Sequence, residues 1–175
     1  MEIMDTTLRD GEQTSGVSFV PHEKLQIAKL LLREVKVDRL EVASARVSEG
    51  EKKAVTDICQ WAARHGMLDA VEVLGFVDNG VSLHWIKDCG GRVINLLCKG
   101  SRRHCELQLH KTPEQHIADI SRDISLAQEL GINVNVYLED WSNGMKDSPE
   151  YVYQLIDALS QQPREGQARR ACRAA

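Results

Sequence analysis

The sequence predicts an α/β protein in which short parallel strands alternate with helices. Five short apolar runs are each followed by a segment whose apolar residues have helical spacing. The second to fifth runs start 32, 21 and 40 residues apart, which is enough for a helical crossover between parallel strands. The 175 residues are 42% hydrophobic and 27% charged, as in an ordinary globular domain.

Each predicted strand is a short run rich in apolar residues, of a length usual for strands. The runs span residues 2–8, 39–43, 71–77, 92–98 and 132–139. Because the connections between them read as helices, the strands are expected to share one parallel sheet.

The first three helices are predicted from apolar spacing and from signals at their ends. The first carries Pro21 in its first turn. The second starts at Ser48, which forms a predicted capping box with Glu51. The third covers 81–89 and stops at a Gly-Gly pair.

The last two helices follow a segment, residues 99–111, that is predicted to be a polar loop. Thr112 precedes a proline and has Gln115 three residues later, which is a second capping signature. Ser148 and the proline after it start the fifth helix, and Pro163 stops it.

Composition excludes several classes of protein. The five cysteines are odd in number and form no CxxC pair, which argues against a disulfide framework and a thiolate zinc site. A net charge of -4 argues against nucleic-acid binding. We also expect no secretory signal and no membrane span, and a cytoplasmic location.

The last twelve residues, 164–175, differ from the rest of the chain. They contain four arginines and four alanines, but no Leu, Ile or Val. Two interpretations stay open: a disordered tail, or a reading frame lost near Pro163. The chain is therefore divided into residues 1–163, which carry the strand–helix units, and this tail.

The densest group of chemically active side chains lies in residues 5–13, at the end of the first strand. In parallel α/β folds the loops at the carboxyl ends of strands build the active site. A carboxylate such as that of Asp10 can bind a hard divalent cation, and the guanidinium of Arg9 can stabilise an oxyanion. Gly11 is expected to allow a sharp turn that brings both side chains to one pocket.

This segment resembles the signature of a known family. The run LRDGEQ, followed by ten residues and then Lys24, is similar to the N-terminus of 2-isopropylmalate and homocitrate synthases. These belong to a wider group that includes citramalate synthase and hydroxymethylglutaryl-CoA lyase. Further similar stretches are LEVASA (40–45), VINLLCKGS (93–101), HCELQLHKTPEQ (104–115) and VNVYLEDW (134–141).

The resemblance implies a metal-dependent (β/α)8 TIM barrel, of which this chain holds about five units of eight. It implies a condensation of acetyl-CoA, as cosubstrate, with a 2-oxo acid, using Mg, Mn or Zn. Relatives of full length are expected to be homodimers, with neither nucleic acid nor membrane as a partner.

The resemblance also implies roles for individual residues. Arg9 would bind the substrate and stabilise the charge that develops on the keto oxygen and the enolate. Asp10 would bind the metal, and Gln13 would support the metal and substrate groups. Glu41 would point into the barrel beside Arg9 and help to bind substrate, and Glu139 would be the acid/base carboxylate or would orient the hydrolytic water.

Several residues depart from the family pattern. Tyr137 stands where many members carry serine, which alters the expected substrate pocket, and Gln108 replaces a common lysine. No two of the six histidines are two residues apart, so the family's His-x-His metal pair is absent from this sequence. His104 and His110 are accordingly predicted to lie in a loop or at a helix entry without binding metal.

Three alternatives stay open. The chain as written could be a truncated, non-catalytic fragment, and we expect it to show no synthase activity. It could instead belong to a carbon–carbon lyase of the hydroxymethylglutaryl-CoA type. Lys99, Arg102 and Arg103 are predicted to form a solvated basic surface, and contact with CoA phosphates is the other interpretation.

Overall fold

Five parallel strands run through residues 1–161, the part of the chain that this computed structural model describes. They are β1 (Met4–Asp5), β2 (Arg39–Ser44), β3 (Val71–Phe76), β4 (Val93–Lys99) and β5 (Asn133–Glu139). Their order in the sheet follows their order in the chain, so β1 and β5 lie at its edges. The α/β prediction is confirmed, and the arrangement matches five of the eight units of a (β/α)8 barrel. The predicted tail, 164–175, lies outside the described residues.

Seven α-helices of residues 1–161 connect and cover the strands. They are α1 (Pro21–Leu30), α2 (Glu49–Arg64), α3 (Val81–Asp88), α4 (Arg102–Leu107), α5 (Pro113–Leu130), α6 (Trp141–Asp147) and α7 (Pro149–Ser160). A π-helical turn extends α1 over Leu31–Val35. The short helices α4 and α6 were not predicted. With six and seven residues, they are too short to show helical periodicity.

The first strand is shorter than predicted. Residues 2–8 were expected to form it, but pairing with β2 is limited to Met4 and Asp5. The Asp5 carboxylate accepts hydrogen bonds from the Thr7 backbone amide (2.9 Å) and hydroxyl (3.1 Å), which turns the chain away from the sheet. Leu8 still reaches the core, where it is fully buried.

The capping box predicted at the start of α2 is only half formed. The Ser48 hydroxyl accepts from the Glu51 amide (3.1 Å), as expected. The Glu51 carboxylate, however, accepts a hydrogen bond from Lys24 (2.6 Å). At α5 both halves of the box between Thr112 and Gln115 are present, and that prediction is confirmed.

The two faces of the sheet differ in chemistry. The face covered by the helices is apolar and buried, and includes Leu40, Val42, Val73, Ile94, Leu96 and Leu138. The other face, which is the inner face of the half-barrel, carries polar side chains along strands β2 to β5: Arg39, Glu41, Glu72, Asn95 and Asn135. Within residues 1–161 no helix is long and apolar enough to cross a membrane.

Candidate active site

The loop after β1 is shaped by one carbonyl group. The Thr6 oxygen accepts hydrogen bonds from three successive amides, those of Arg9 (3.1 Å), Asp10 (2.8 Å) and Gly11 (3.1 Å). This turn places the side chains of Arg9 and Asp10 in contact at the carboxyl edge of the sheet, but of the two only Arg9 lines the neighbouring cavity. The role predicted for Gly11 is wrong, because its φ is not positive and an added Cβ would meet Thr7 at 3.8 Å, an ordinary contact.

A row of polar side chains crosses the inner face from β1 to β5. Arg9 Nε forms an ion pair with Glu41 Oε2. Glu41 Oε1 accepts from Asn95 Nδ2 (2.7 Å), and Asn95 Oδ1 accepts from Asn135 Nδ2 (2.9 Å). The structure therefore brings Arg9 and Glu41 together as predicted. Asn95 and Asn135 were missed, although polar residues in the middle of apolar strands were a visible signal.

Two opposing effects act on the pKa of Glu41. Its side chain is fully buried, and burial raises its pKa above the ordinary value for glutamate. The hydrogen bond from Asn95 and the charge of Arg9 act in the opposite direction. Because both carboxylate oxygens accept hydrogen bonds, the geometry fits the ionised form.

Asp10 does not by itself make a metal site. Its carboxylate is 63% exposed, and Oδ1 forms an ion pair with Arg9 Nη1 at 2.8 Å. Within residues 1–161, no group of three or more His, Cys, Asp or Glu side chains could share a metal ion. The residues of this part of the chain therefore do not fit a complete divalent metal site, and Asp10 could supply only one ligand.

A cavity of about 340 Å³ lies beside Arg9. It is bounded by the loop after β1 and by the start of α2. Its lining includes Leu8, Gln13, Val17, Ala43, Val47 and Ser48. Gln13, predicted as a support residue, thus lies at the site. The mixture of apolar and polar lining groups suits a small polar molecule.

Lys24 anchors the loop after β1, which sequence reasoning did not foresee. Its side chain is 1% exposed, and Nζ contacts Glu12 Oε2 (2.5 Å), Glu51 Oε1 (2.6 Å) and the Leu8 carbonyl (3.1 Å). Glu12 in turn accepts from the Phe19 amide (2.9 Å). The lysine therefore ties the loop after β1 to the first turn of α2.

Tyr137 reaches across the inner face of the half-barrel. It lies on β5, yet its hydroxyl contacts the sulfur of Met4 on β1 at 3.2 Å. Burial, followed by the charges of Glu41 and Glu72, raises the pKa of its phenol, which stays protonated at neutral pH. A thioether is a weak acceptor, so this hydroxyl can still donate to a ligand.

Glu139 ends β5 and lies opposite Lys99, its register partner on β4. Lys99 Nζ forms an ion pair with Glu139 Oε2, and the side chains are 18% and 42% exposed. The prediction that Lys99 shares a solvated basic loop with Arg102 and Arg103 is therefore wrong for Lys99. It is a strand residue, whereas the two arginines begin helix α4.

A Ser–Asp–His group lies nearby but has no nucleophilic geometry. Ser101 Oγ donates to Asp140 Oδ2 (2.7 Å), and His104 Nε2 lies 3.4 Å from the same oxygen. The serine is thus bonded to the carboxylate and not to an imidazole base. His104 lies within α4, near its start, and this group holds the ends of β4 and β5 together.

The arrangement can stabilise an oxyanion and move a proton. Arg9 uses Nε and Nη1 within the described residues, which leaves Nη2 for a ligand oxygen. Glu139 is a partly exposed carboxylate at the same edge of the sheet. A preorganised guanidinium can stabilise an oxyanion, and a carboxylate can act as a general acid or base.

Comparisons with known proteins agree on one family. The sequence profile of the HMGL-like family matches residues 1–163. The chain is 35% identical over 140 residues to (R)-citramalate synthase of Methanocaldococcus jannaschii. It is 31% identical over 157 residues to 2-isopropylmalate synthase of Paracidovorax citrulli. The crystal structure of hydroxymethylglutaryl-CoA lyase from Pseudomonas aeruginosa has a TM-score of 0.68 at 16% identity, which shows a shared fold.

The chain covers only part of these proteins. The aligned regions are 80% and 90% of this chain, but 27% and 30% of the two synthases. The lyase structure covers 92% of this chain, which spans 54% of that protein.

Proposed function

The chain belongs to the HMGL-like family, and from this we propose that it is the N-terminal part of an acyltransferase that condenses acetyl-CoA with a 2-oxo acid. The products of such enzymes are of the 2-isopropylmalate, homocitrate or citramalate type and serve amino-acid biosynthesis. The observation that carries the proposal is the buried ion pair of Arg9 with Glu41 at the carboxyl edge of the sheet. We place the activity in the cytoplasm and expect homodimers for the complete enzyme.

In the proposed reaction, the chain's own residues supply charge stabilisation and proton transfer. Glu139 removes a methyl proton from acetyl-CoA or orients the water that later hydrolyses the thioester. Arg9 stabilises the oxyanion of the enolate and of the attacked ketone, and Glu41 fixes its guanidinium. Gln13 and Tyr137 contact the 2-oxo acid, and the Tyr137 hydroxyl can donate to a substrate oxygen.

The proposed metal would use Asp10 as one ligand. A divalent Mg, Mn or Zn ion would polarise the ketone when bound. Since the described residues supply no complete ligand group, no step of the reaction is assigned to it. For the same reason we propose that the 175-residue chain binds the 2-oxo acid but has no measurable turnover on its own.

Binding and turnover can be measured separately. We expect calorimetry to detect binding of a 2-oxo acid to the purified chain, and Arg9→Met to abolish it. A thiol-release assay with acetyl-CoA, a panel of 2-oxo acids and each metal should give no signal. Absence of binding by every 2-oxo acid would contradict the proposed substrate, and turnover would contradict the non-catalytic state of this chain.

The lyase alternative is tested by the same preparation. Cleavage of hydroxymethylglutaryl-CoA, without condensation of acetyl-CoA with any 2-oxo acid, would refute the synthase assignment. The two sequence relatives are both synthases, which favours synthesis, whereas the lyase is similar in fold alone.

A further inference from the structure

Lys99 differs from the other cations on the inner face of the half-barrel. Arg39 forms two hydrogen bonds with Glu72, at 2.6 and 2.8 Å, and both side chains are buried. Arg9 is paired with Glu41, whose side chain is 0% exposed. The partner of Lys99 is instead a carboxylate that is 42% exposed. Water can hydrate Glu139 when it leaves, so this pair can be exchanged at low cost.

The backbone of Lys99 is held from two helices. Its amide donates to His116 Nε2 on α5 (3.1 Å), and its carbonyl accepts from the Tyr151 hydroxyl on α7 (2.8 Å). Both of these side chains are 1% exposed. Burial lowers the pKa of His116 to about 4, so the ring is neutral at pH 7 and can accept this hydrogen bond. These two hydrogen bonds therefore fix the backbone of Lys99, and with it the direction in which its side chain extends from the strand.

The surroundings of Lys99 are those of the proposed active site. It is the last residue of β4, opposite Glu139, and lies on the strand face that carries Asn95. Four residues along a strand separate Lys99 from Asn95, about 13 Å. The ammonium group of Lys99 thus lies closer to the carboxyl edge of the sheet than the row of polar side chains that begins at Arg9. A ligand with one oxygen bound to Arg9 and a second anionic group would need a cation there.

We propose that Lys99 binds a carboxylate of the substrate, which replaces Glu139 as its partner. The inference rests on the proposed function, because it takes the 2-oxo acid as the ligand. When the substrate binds, its carboxylate forms an ion pair with the ammonium group of Lys99. Glu139 is then released from its own ion pair with Lys99. The carboxylate proposed as acid/base is then free to turn toward the reacting carbon, so its release is tied to the presence of substrate.

The experiment measures binding of pyruvate and, separately, of CoA to the 175-residue chain by calorimetry. Lys99→Met should weaken pyruvate binding about 10-fold or more, because a charged hydrogen bond is lost. Lys99→Arg should stay within a few-fold of the original protein. Lys53→Met is the matched control, since Lys53 is 67% exposed and pairs with Asp57 on the surface of α2, and it should change nothing.

Glu139→Gln provides a test that does not remove the lysine. It deletes the competing carboxylate, so pyruvate should bind more tightly, by up to about 5-fold. A residue with only a structural role would not produce tighter binding. This variant also keeps the inference testable if Lys99→Met fails to fold.

Each outcome bears on a different claim. Equal pyruvate binding by the original protein and Lys99→Met overturns the inference and leaves the proposed function standing. Weaker binding of CoA alone overturns the assignment to a substrate carboxylate in favour of a CoA phosphate. No pyruvate or other 2-oxo acid binding by the original protein overturns the proposed function, and the inference with it.

Discussion

Replacing Lys24 with methionine should destabilise the protein through the loop that carries Arg9. Lys24 is 1% exposed and its ammonium group contacts two carboxylates and one carbonyl oxygen. Methionine keeps most of the volume but removes the charge and all three hydrogen bonds. Glu12 and Glu51 would then face each other without a cation between them.

The magnitude follows from the burial of the three groups. Removing one partner of a buried ion pair costs about 3–5 kcal/mol. The two carboxylates, of Glu12 and Glu51, are 21% and 15% exposed, so water can partly hydrate them. We therefore expect a loss near the lower limit, about 3 kcal/mol. For a chain of this length that corresponds to a fall in Tm of about 6–12 °C.

Thermal and urea unfolding, followed by circular dichroism, measure this loss for Lys24→Met. The control is Lys53→Met, which removes an exposed ion pair on α2 and should shift Tm by less than about 2 °C. Adding Glu12→Gln and Glu51→Gln to Lys24→Met should recover part of the stability, because no uncompensated charge remains. The reasoning is refuted if Lys24→Met melts like the control, or if the added glutamines lower Tm further.

Four other variants test separate parts of the structure. Burial depresses the pKa of His116 to about 4, so the unfolded state binds more protons between pH 6.5 and 4. Stability should fall by about 3 kcal/mol as pH drops through that range, and His116→Gln should remove this slope in urea titrations. Glu41→Ala should cost about 3–5 kcal/mol by urea unfolding, because Arg9 loses its buried partner; a loss below 1 kcal/mol would contradict the ion pair. Gly144→Ala places a Cβ 2.1 Å from the Gly100 carbonyl oxygen and should lower Tm clearly, whereas Gly11→Ala should leave Tm unchanged.

Local patterns predicted most of the fold. The caps at Ser48 and Thr112 involve residues three positions apart, so both were visible in the sequence. The crossover lengths were sufficient to predict that the strands are parallel. The prediction failed where a contact outside the pattern decides the outcome. The Glu51 carboxylate accepts a hydrogen bond from Lys24, 27 residues away, in place of the predicted capping interaction. The Asp5 carboxylate accepts from the Thr7 amide and so ends the first strand early.

The site was predicted only in part, for a related reason. The positions of Arg9 and Asp10 follow from a loop at the carboxyl end of a strand. The contact of Glu41 with Arg9, 32 residues away, was expected only from the family resemblance, and its contact with Asn95, 54 residues away, was not predicted. Lys99 was read as a loop residue because a basic run follows it, yet its register with Glu139 makes it part of the inner face.

The ion pairs that Arg39 and Arg9 form on the inner face have different explanations. Arg39 and Glu72 lie toward the amino ends of their strands and satisfy each other through two hydrogen bonds, so this pair is closed to ligands. An apolar pair of similar volume could stabilise the fold as well, since desolvation offsets much of the attraction. Arg9 reaches Glu41 from a loop at the opposite end, and its side chain remains 16% exposed. The guanidinium of Arg9 is fixed by a buried carboxylate and is still open to solvent. It therefore stabilises the protein little more than an apolar residue would. Its placement is better explained by an oxygen atom that binds there from outside the chain.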